Sequence, residues 1–154
     1  MLWKPNVTVA AIAERGGRFL LVEEETERGR RFNQPAGHLD PDETLLQAVA
    51  RETLEETACI FQPAALLGIY QYRQEGGDIT YLRFAFTGEI TAEEAGRALD
   101  HGIIRAVWMT VDEIRSAAGR HRSPLVMRCI EDYLAGRRYP LDLLHHYQEW
   151  GRRV

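Results

Sequence analysis

The sequence predicts an α+β fold, an α/β/α sandwich in which a mixed β-sheet lies between helices. Three observations predict it. Two strand pairs, over residues 7–25 and 64–89, each turn around glycines. A helix over residues 44–58 lies between them. Further helices follow the last strand. At 154 residues, with 45% hydrophobic and 27% charged side chains, the chain is read as one domain, residues 1–154, with enough apolar content for a core.

The elements follow in order. Val7 to Glu14 is rich in β-branched and small residues and reads as a strand. Arg15-Gly16-Gly17 is a turn, and Arg18 to Glu25 is the hairpin partner. Thr26 to Arg31 reads as a charged loop. Phe32 to Ala36 reads as a short strand, which Pro35 confines to an edge or an end. A loop then runs from Gly37 to Glu43.

Thr44 to Ala58 has helical periodicity. Thr44 and Gln47 form a capping-box pair, and Asp40 with Glu43 offers a competing start one turn earlier. The predicted apolar arc is Leu46, Ala50, Thr53, Leu54 and Thr57. Ala64 to Tyr72 and Ile79 to Glu89 form the second strand pair around Gly76-Gly77-Asp78. In the latter strand Tyr81, Arg83, Ala85 and Thr87 alternate with Leu82, Phe84 and Phe86. Ile90 to Gly102 is polar and reads as partly helical. Ile103 to Met109 is a strand, and Val111 to Ala118 a short helix. Ser123-Pro124 opens a helix that runs to Ala135 and stops at Gly136. Leu141 to Trp150 adds a last turn or two, and 151–154 read as frayed.

Charge and cysteine usage narrow the function. A net charge of −4 argues against a nucleic-acid polymer as partner. Of 19 basic residues only Lys4 is lysine; arginine suits forked phosphate contacts, although a GC-rich genome gives the same bias. Cys59 and Cys129 have no metal-ligand spacing, so free thiols in a reducing compartment are expected. No signal-peptide core and no long apolar run is visible, so the expectation is a cytoplasmic protein away from membranes, monomer or homodimer.

The chemistry lies on the first helix. Glu52, Glu55 and Glu56, at i, i+3 and i+4, share one helical face. Each like-charge pair there costs roughly 0.2–0.5 kcal/mol unless arginines or a cation intervene. Carboxylate oxygens suit hard divalent cations such as Mg²⁺ or Mn²⁺, and such ions imply phosphate chemistry. The competing reading is an exposed helix with pairs such as Arg51 and Glu55.

Reading outward gives Gly37, five residues, Glu43, seven residues, then Arg51-Glu52-Thr53-Leu54-Glu55-Glu56-Thr57-Ala58-Cys59. This resembles the Nudix box, G-x5-E-x7-R-E-U-x-E-E-x-G-U with U bulky and apolar, over residues 37–59. Thr53 replaces a bulky apolar residue and Ala58 replaces the glycine that ends the helix. Alanine at a positive-φ site costs roughly 1 kcal/mol, so an altered helix exit is expected. Residues 5–10, 32–39, 122–125 and 136–141 extend the likeness over roughly residues 4 to 141, toward the NudJ subfamily of bacterial phosphatases. Phe32 stands where that subfamily has tryptophan.

The resemblance implies a Nudix hydrolase, with Mg²⁺ (or Mn²⁺) held by Glu52, Glu55 and Glu56 and a small phosphorylated molecule as substrate. For the subfamily it implies stepwise release of orthophosphate from nucleoside tri- and diphosphates and from hydroxymethylpyrimidine pyrophosphate. Arg51 orients a glutamate of the box. Glu43 is open between a role at the metal or its water and reciprocal capping with Asp40. Gly37 lets the loop backbone approach the site. The general base is open between Asp100 and Glu56. Candidate substrate contacts are Arg28 and Arg31 (with Arg30) for phosphate, and Asn33 and Gln34 for a base or polar ring. His38 is a further phosphate candidate. Tyr70, Tyr72 and Tyr81 are candidates for stacking, and His145 and His146 are assigned nothing. The alternatives are Nudix chemistry on ADP-ribose, a dinucleoside polyphosphate or an oxidised nucleotide, and a non-catalytic nucleotide-binding domain.

Overall fold

Residues 2–148 are described by a computed structural model. The strands are β1 (Asn6–Arg15), β2 (Arg18–Thr26), β3 (Gly29–Asn33), β4 (Ala36–His38), β5 (Cys59–Arg73), β6 (Thr80–Glu93) and β7 (Ile103–Thr110). The helices are α1 (Leu45–Thr57), α2 (Val111–Ser116) and α3 (Leu125–Leu134), with short 3-10 turns at Ala118–Arg120 and Leu141–Leu143. The last of these falls within the segment expected to add a turn; positions 149–154, including the tail expected to be frayed, lie outside the described residues.

The seven strands form a mixed sheet, in the order β3-β2-β1-β6-β5. β4 also pairs with β1, and β7 with β2. β1 and β6 run parallel, with Thr8 opposite Arg83; the other pairings are antiparallel. Strand alternation divides the core. Val9, Ala11 and Ala13 of β1 face α1, where Ala48 and Val49 cover them. Ile12, Phe19 and Leu21 face the other way, against Ile114 of α2 and Cys129 and Ile130 of α3. Helices therefore cover both faces, as the sequence predicts. Each such Val, Leu, Ile or Phe contributes about 1.5–3 kcal/mol by leaving water.

Four local expectations need correction. The charged loop is absent: β2 continues to Thr26, Glu27-Arg28 make the tip, and Arg30 and Arg31 lie in β3 opposite Glu25 and Glu24. Oppositely charged residues facing each other, with Arg30 and Glu25 in an ion pair, replace the hydrophobic alternation that marks a strand. The short strand expected over residues 32–36 is split at Gln34-Pro35, and β4 occupies the start of the supposed loop. Residues 94–102 are not helical; β6 reaches Glu93, and the segment is tied to α1 by the Glu94 N–H on the Ala58 carbonyl and the Asp100 N–H on the Glu55 carbonyl. The buried face of α1 is also rotated from the expected arc. It comprises Ala48, Val49, Thr53, Glu56 and Thr57, while Ala50 and Leu54 are only partly covered.

The capping box at Thr44 and Gln47 is present at 3.0 and 2.9 Å. Asp40 and Glu43 form a separate turn instead of a helix start. At the other end Ala58 adopts φ 62° and ψ 12°, the left-handed cap that glycine usually supplies, and its N–H reaches the Leu54 carbonyl at 2.9 Å. The altered helix exit does not occur; alanine accepts the strain instead.

Asp132 of α3 is buried yet ionised. Burial opposes its charge, but hydrogen bonds from Tyr70 (2.7 Å) and Arg128, with Arg137 at 3.4 Å, hold its carboxyl below the usual range.

Ala58→Gly should be near neutral, because relief of about 1–2 kcal/mol of left-handed strain is offset by a lost buried methyl (about 0.8) and glycine's backbone entropy (about 0.5–1). Ala58→Val should destabilise by about 2 kcal/mol or more, since β-branching worsens the same strain; urea unfolding of both variants measures the difference. Asp132→Asn should cost about 1–2 kcal/mol at pH 7. A depressed folded pKa stabilises above the unfolded value of about 3.9, so that gap should stay constant above about pH 5 and close as pH falls below about 4. Thermal melts at stepped pH test it.

Candidate active site

Arg51, on the exposed side of α1, binds the loop before the helix to the helix itself. Its Nε and Nη2 fork onto Glu43 at 2.9 and 2.7 Å. Nη1 donates to Glu52 at 2.9 Å and to Glu55 at 3.2 Å, and Nη2 also reaches the His38 carbonyl at 2.9 Å. Asp40 completes the surround at 3.3 Å. Both Glu43 oxygens are thereby taken, and one also accepts the Asp40 N–H. The hydrogen bond from Arg51 holds the Glu43 carboxyl below its usual range. Glu43 is thus a clamp on Arg51 that also closes the turn at Asp40, without capping a helix there.

Glu52, Glu55 and Asp100 present carboxylate oxygens that all lie within 4.8 Å of one another. The Asp100 backbone bond to the last turn of α1 delivers the third acid. Glu56 points inward instead. Its Oε1 accepts the Ala36 N–H at 2.8 Å, and it is 8% exposed. Burial, reinforced by Glu52 and other nearby acids, pushes its carboxyl up to about 8. Burial likewise raises Glu52. Crowded, half-desolvated carboxylates favour a divalent cation, which replaces their mutual repulsion with oxygen coordination, so the donor set fits such an ion.

Gly37 explains how β4 meets this group. A Cβ built there would lie 2.1 Å from the Glu52 carboxyl carbon, so only glycine leaves that carboxylate its place. Gly37 also lines a cavity of about 640 Å³, which lies within the usual range for small-molecule sites. Arg28, Arg31 and Asn33 line that cavity, with His38, Tyr72 and Tyr81. Arg30 does not line it; it pairs with Glu25.

Two sequence candidates belong elsewhere. Gln34 is 1% exposed and lines no wall: its Nε2 donates to the Val126 carbonyl at 2.8 Å and its Oε1 accepts from Arg83. Tyr70 spends its hydroxyl on Asp132 instead of facing a base. Sequence reasoning missed Arg83 and Arg122, which both line the cavity. The signal for Arg83 was a charge on the strand face shared with Ala85; for Arg122 it was only its place in the matching run 122–125.

The NUDIX domain family model matches residues 3–129. The chain belongs to the Nudix hydrolase family. Phosphatase NudJ of Escherichia coli strain K12 is 39% identical over 143 residues, covering 93% of this chain and 92% of that protein, and the Shigella flexneri protein of the same name matches equally. A solved NUDIX hydrolase from Nitrosomonas europaea is 52% identical with a TM-score of 0.91, over 94% of this chain and 98% of the other. A MutT NUDIX hydrolase from Burkholderia pseudomallei, 20% identical, shares the fold with a TM-score of 0.72 over 84% and 98% of the two chains. As a NudJ-like homologue the chain is an enzyme acting on small phosphorylated substrates, in a family that uses divalent metals. Among the described residues no helix is long and apolar enough to cross a membrane.

Gly37→Ala should leave the fold intact, because the atoms it displaces end a flexible side chain. Moving Glu52 should nevertheless weaken Mn²⁺ binding by about 10- to 100-fold. Calorimetric titration beside a melting curve separates these effects.

Proposed function

We propose that this chain is one Nudix domain acting in the cytoplasm as a Mg²⁺-dependent phosphohydrolase, with Mn²⁺ as substitute. Its substrates are nucleoside tri- and diphosphates and hydroxymethylpyrimidine pyrophosphate, from which it releases orthophosphate. The observation that carries this reading is the shared position of Gly37, against the Glu52 carboxylate on one side and in the wall of the arginine-bearing cavity on the other. Phosphates placed at Gly37 meet the acids, while the rest of the substrate lies in the cavity. The 39% identity to proteins named phosphatase supports the same choice.

Glu52 and Glu55 would hold the ion, with Glu56 as the third acid of the same helix, behind them on its buried side. A divalent cation there neutralises charge developing on the phosphates and acidifies water. Arg51 keeps Glu52 and Glu55 oriented through its Nη1 bonds. Arg28 and Arg31 grip phosphate oxygens from the β2–β3 hairpin. Asp100, which reaches the acid group from outside α1, accepts the proton of the attacking water at a carboxylate oxygen.

Turnover of a nucleotide and thiamine-precursor panel with Mg²⁺, read as orthophosphate against pyrophosphate, tests the reading. Orthophosphate released stepwise is expected. A nucleoside monophosphate formed in one step points to the other Nudix substrates, such as ADP-ribose or a dinucleoside polyphosphate. Glu55→Gln should lower turnover by more than about 100-fold, the upper end of the cost of lesser metal-site partners, with an unchanged melting temperature. Unchanged turnover would remove the site assignment.

A further inference from the structure

Arg83 is 6% exposed, lines the cavity, and has no carboxylate within ion-pair distance among the described residues. Its partners are neutral: Nη1 donates to the Gln34 amide oxygen at 3.0 Å and lies 3.8 Å from the Cys129 sulfur, and Nη2 donates to Asn33 Oδ1 at 3.0 Å. A buried guanidinium whose hydrogen-bond partners are all neutral, with only the through-space attraction of Glu24, is costly, so a fold that keeps one has a use for its donors.

The hydrogen bonds fix which way each amide points. Gln34 Nε2 is committed to the Val126 carbonyl, so Oε1 must face Arg83. Asn33 Oδ1 is committed to Arg83, so the Asn33 NH₂ is left to serve the cavity. The result is a rigid wall of donors, without a matching acceptor between them. Tyr72 and Tyr81, directly opposite each other on β5 and β6, add two aromatic rings to the same cavity. Glu24 also lines the cavity, so the wall beside Arg83 is not uniformly cationic.

We propose that Arg83 and Asn33 form a base-reading subsite that takes the acceptor edge of a planar nitrogen heterocycle, such as the O2/N3 edge of cytosine or the O6/N7 edge of guanine. The subsite rests on the substrate placement proposed above and adds what selects the ring. Adenine, which offers a donor beside its acceptor, fits less well.

Calorimetric binding in EDTA tests it without relying on hydrolysis. Arg83→Met keeps the stem's volume. Asn33→Ala removes the NH₂ donors at a half-buried position without adding a charge, so it covers the case in which the first variant does not fold. Each should weaken cytidine or guanosine diphosphate by about 10- to 100-fold, the value of a lost charge-assisted hydrogen bond. Inorganic pyrophosphate should change by less than about 3-fold, within the spread of such contacts. Equal losses for pyrophosphate and the nucleotides would overturn the subsite, as would unchanged nucleotide binding in a folded variant. Wild-type protein that binds these nucleotides no better than pyrophosphate overturns it too. A wild-type enzyme inert on every phosphate compound, yet selective for these rings in EDTA, would fail the hydrolase reading and leave the subsite standing.

Discussion

One guanidinium holds the acids of this protein in a usable arrangement. Carboxylates three and four residues apart on a helix repel, and the repulsion grows as they leave water. Arg51 answers it by bonding Glu52 and Glu55 with one nitrogen and Glu43 with two others. The same contacts pin the turn before α1, and through the His38 carbonyl they pin β4. Gly37 lies in that strand, so the position of the cavity wall and the orientation of the acids have a common cause. Lysine could not span these partners, because it lacks the planar fork.

The two halves of the site are built by different layers. The glutamates belong to α1 on one face of the sheet, and Asp100 joins them from the segment bonded to that helix. Arg83 and Asn33 lie toward the α3 face, where Gln34 couples them to the Val126 carbonyl near the start of that helix. β4 is the joint between them, three residues long and paired to β1.

Legibility followed how local each signal was. The β1–β2 hairpin, α1 with its capping box, and α3 with its proline start and glycine stop were readable because neighbours in sequence determine them. β3 was not, since its charged side chains, facing those of β2 across an antiparallel ladder, make it look like a charged loop. The acidic face was visible, but its burial was not: Glu56 reads as one of three equivalent acids and yet turns under β4. Asp100, a loop acid by sequence, joins Glu52 and Glu55 through a backbone bond that no pattern announces. Gln34 illustrates the opposite case. A polar residue beside a glycine loop suggested ligand contact, and the fold used its amide inside the core.

The two cysteines sit in separate clusters on opposite faces of the sheet, both buried and unbonded. Cys129 touches Arg83 and is wholly enclosed, so a thiol reagent reaches it only when the packing between α3 and the sheet opens. Cys59, behind the exit of α1, is freed only when the opposite layer opens. The native thiols are therefore a pair of internal clocks, each timing the breathing of one helical layer without any introduced label.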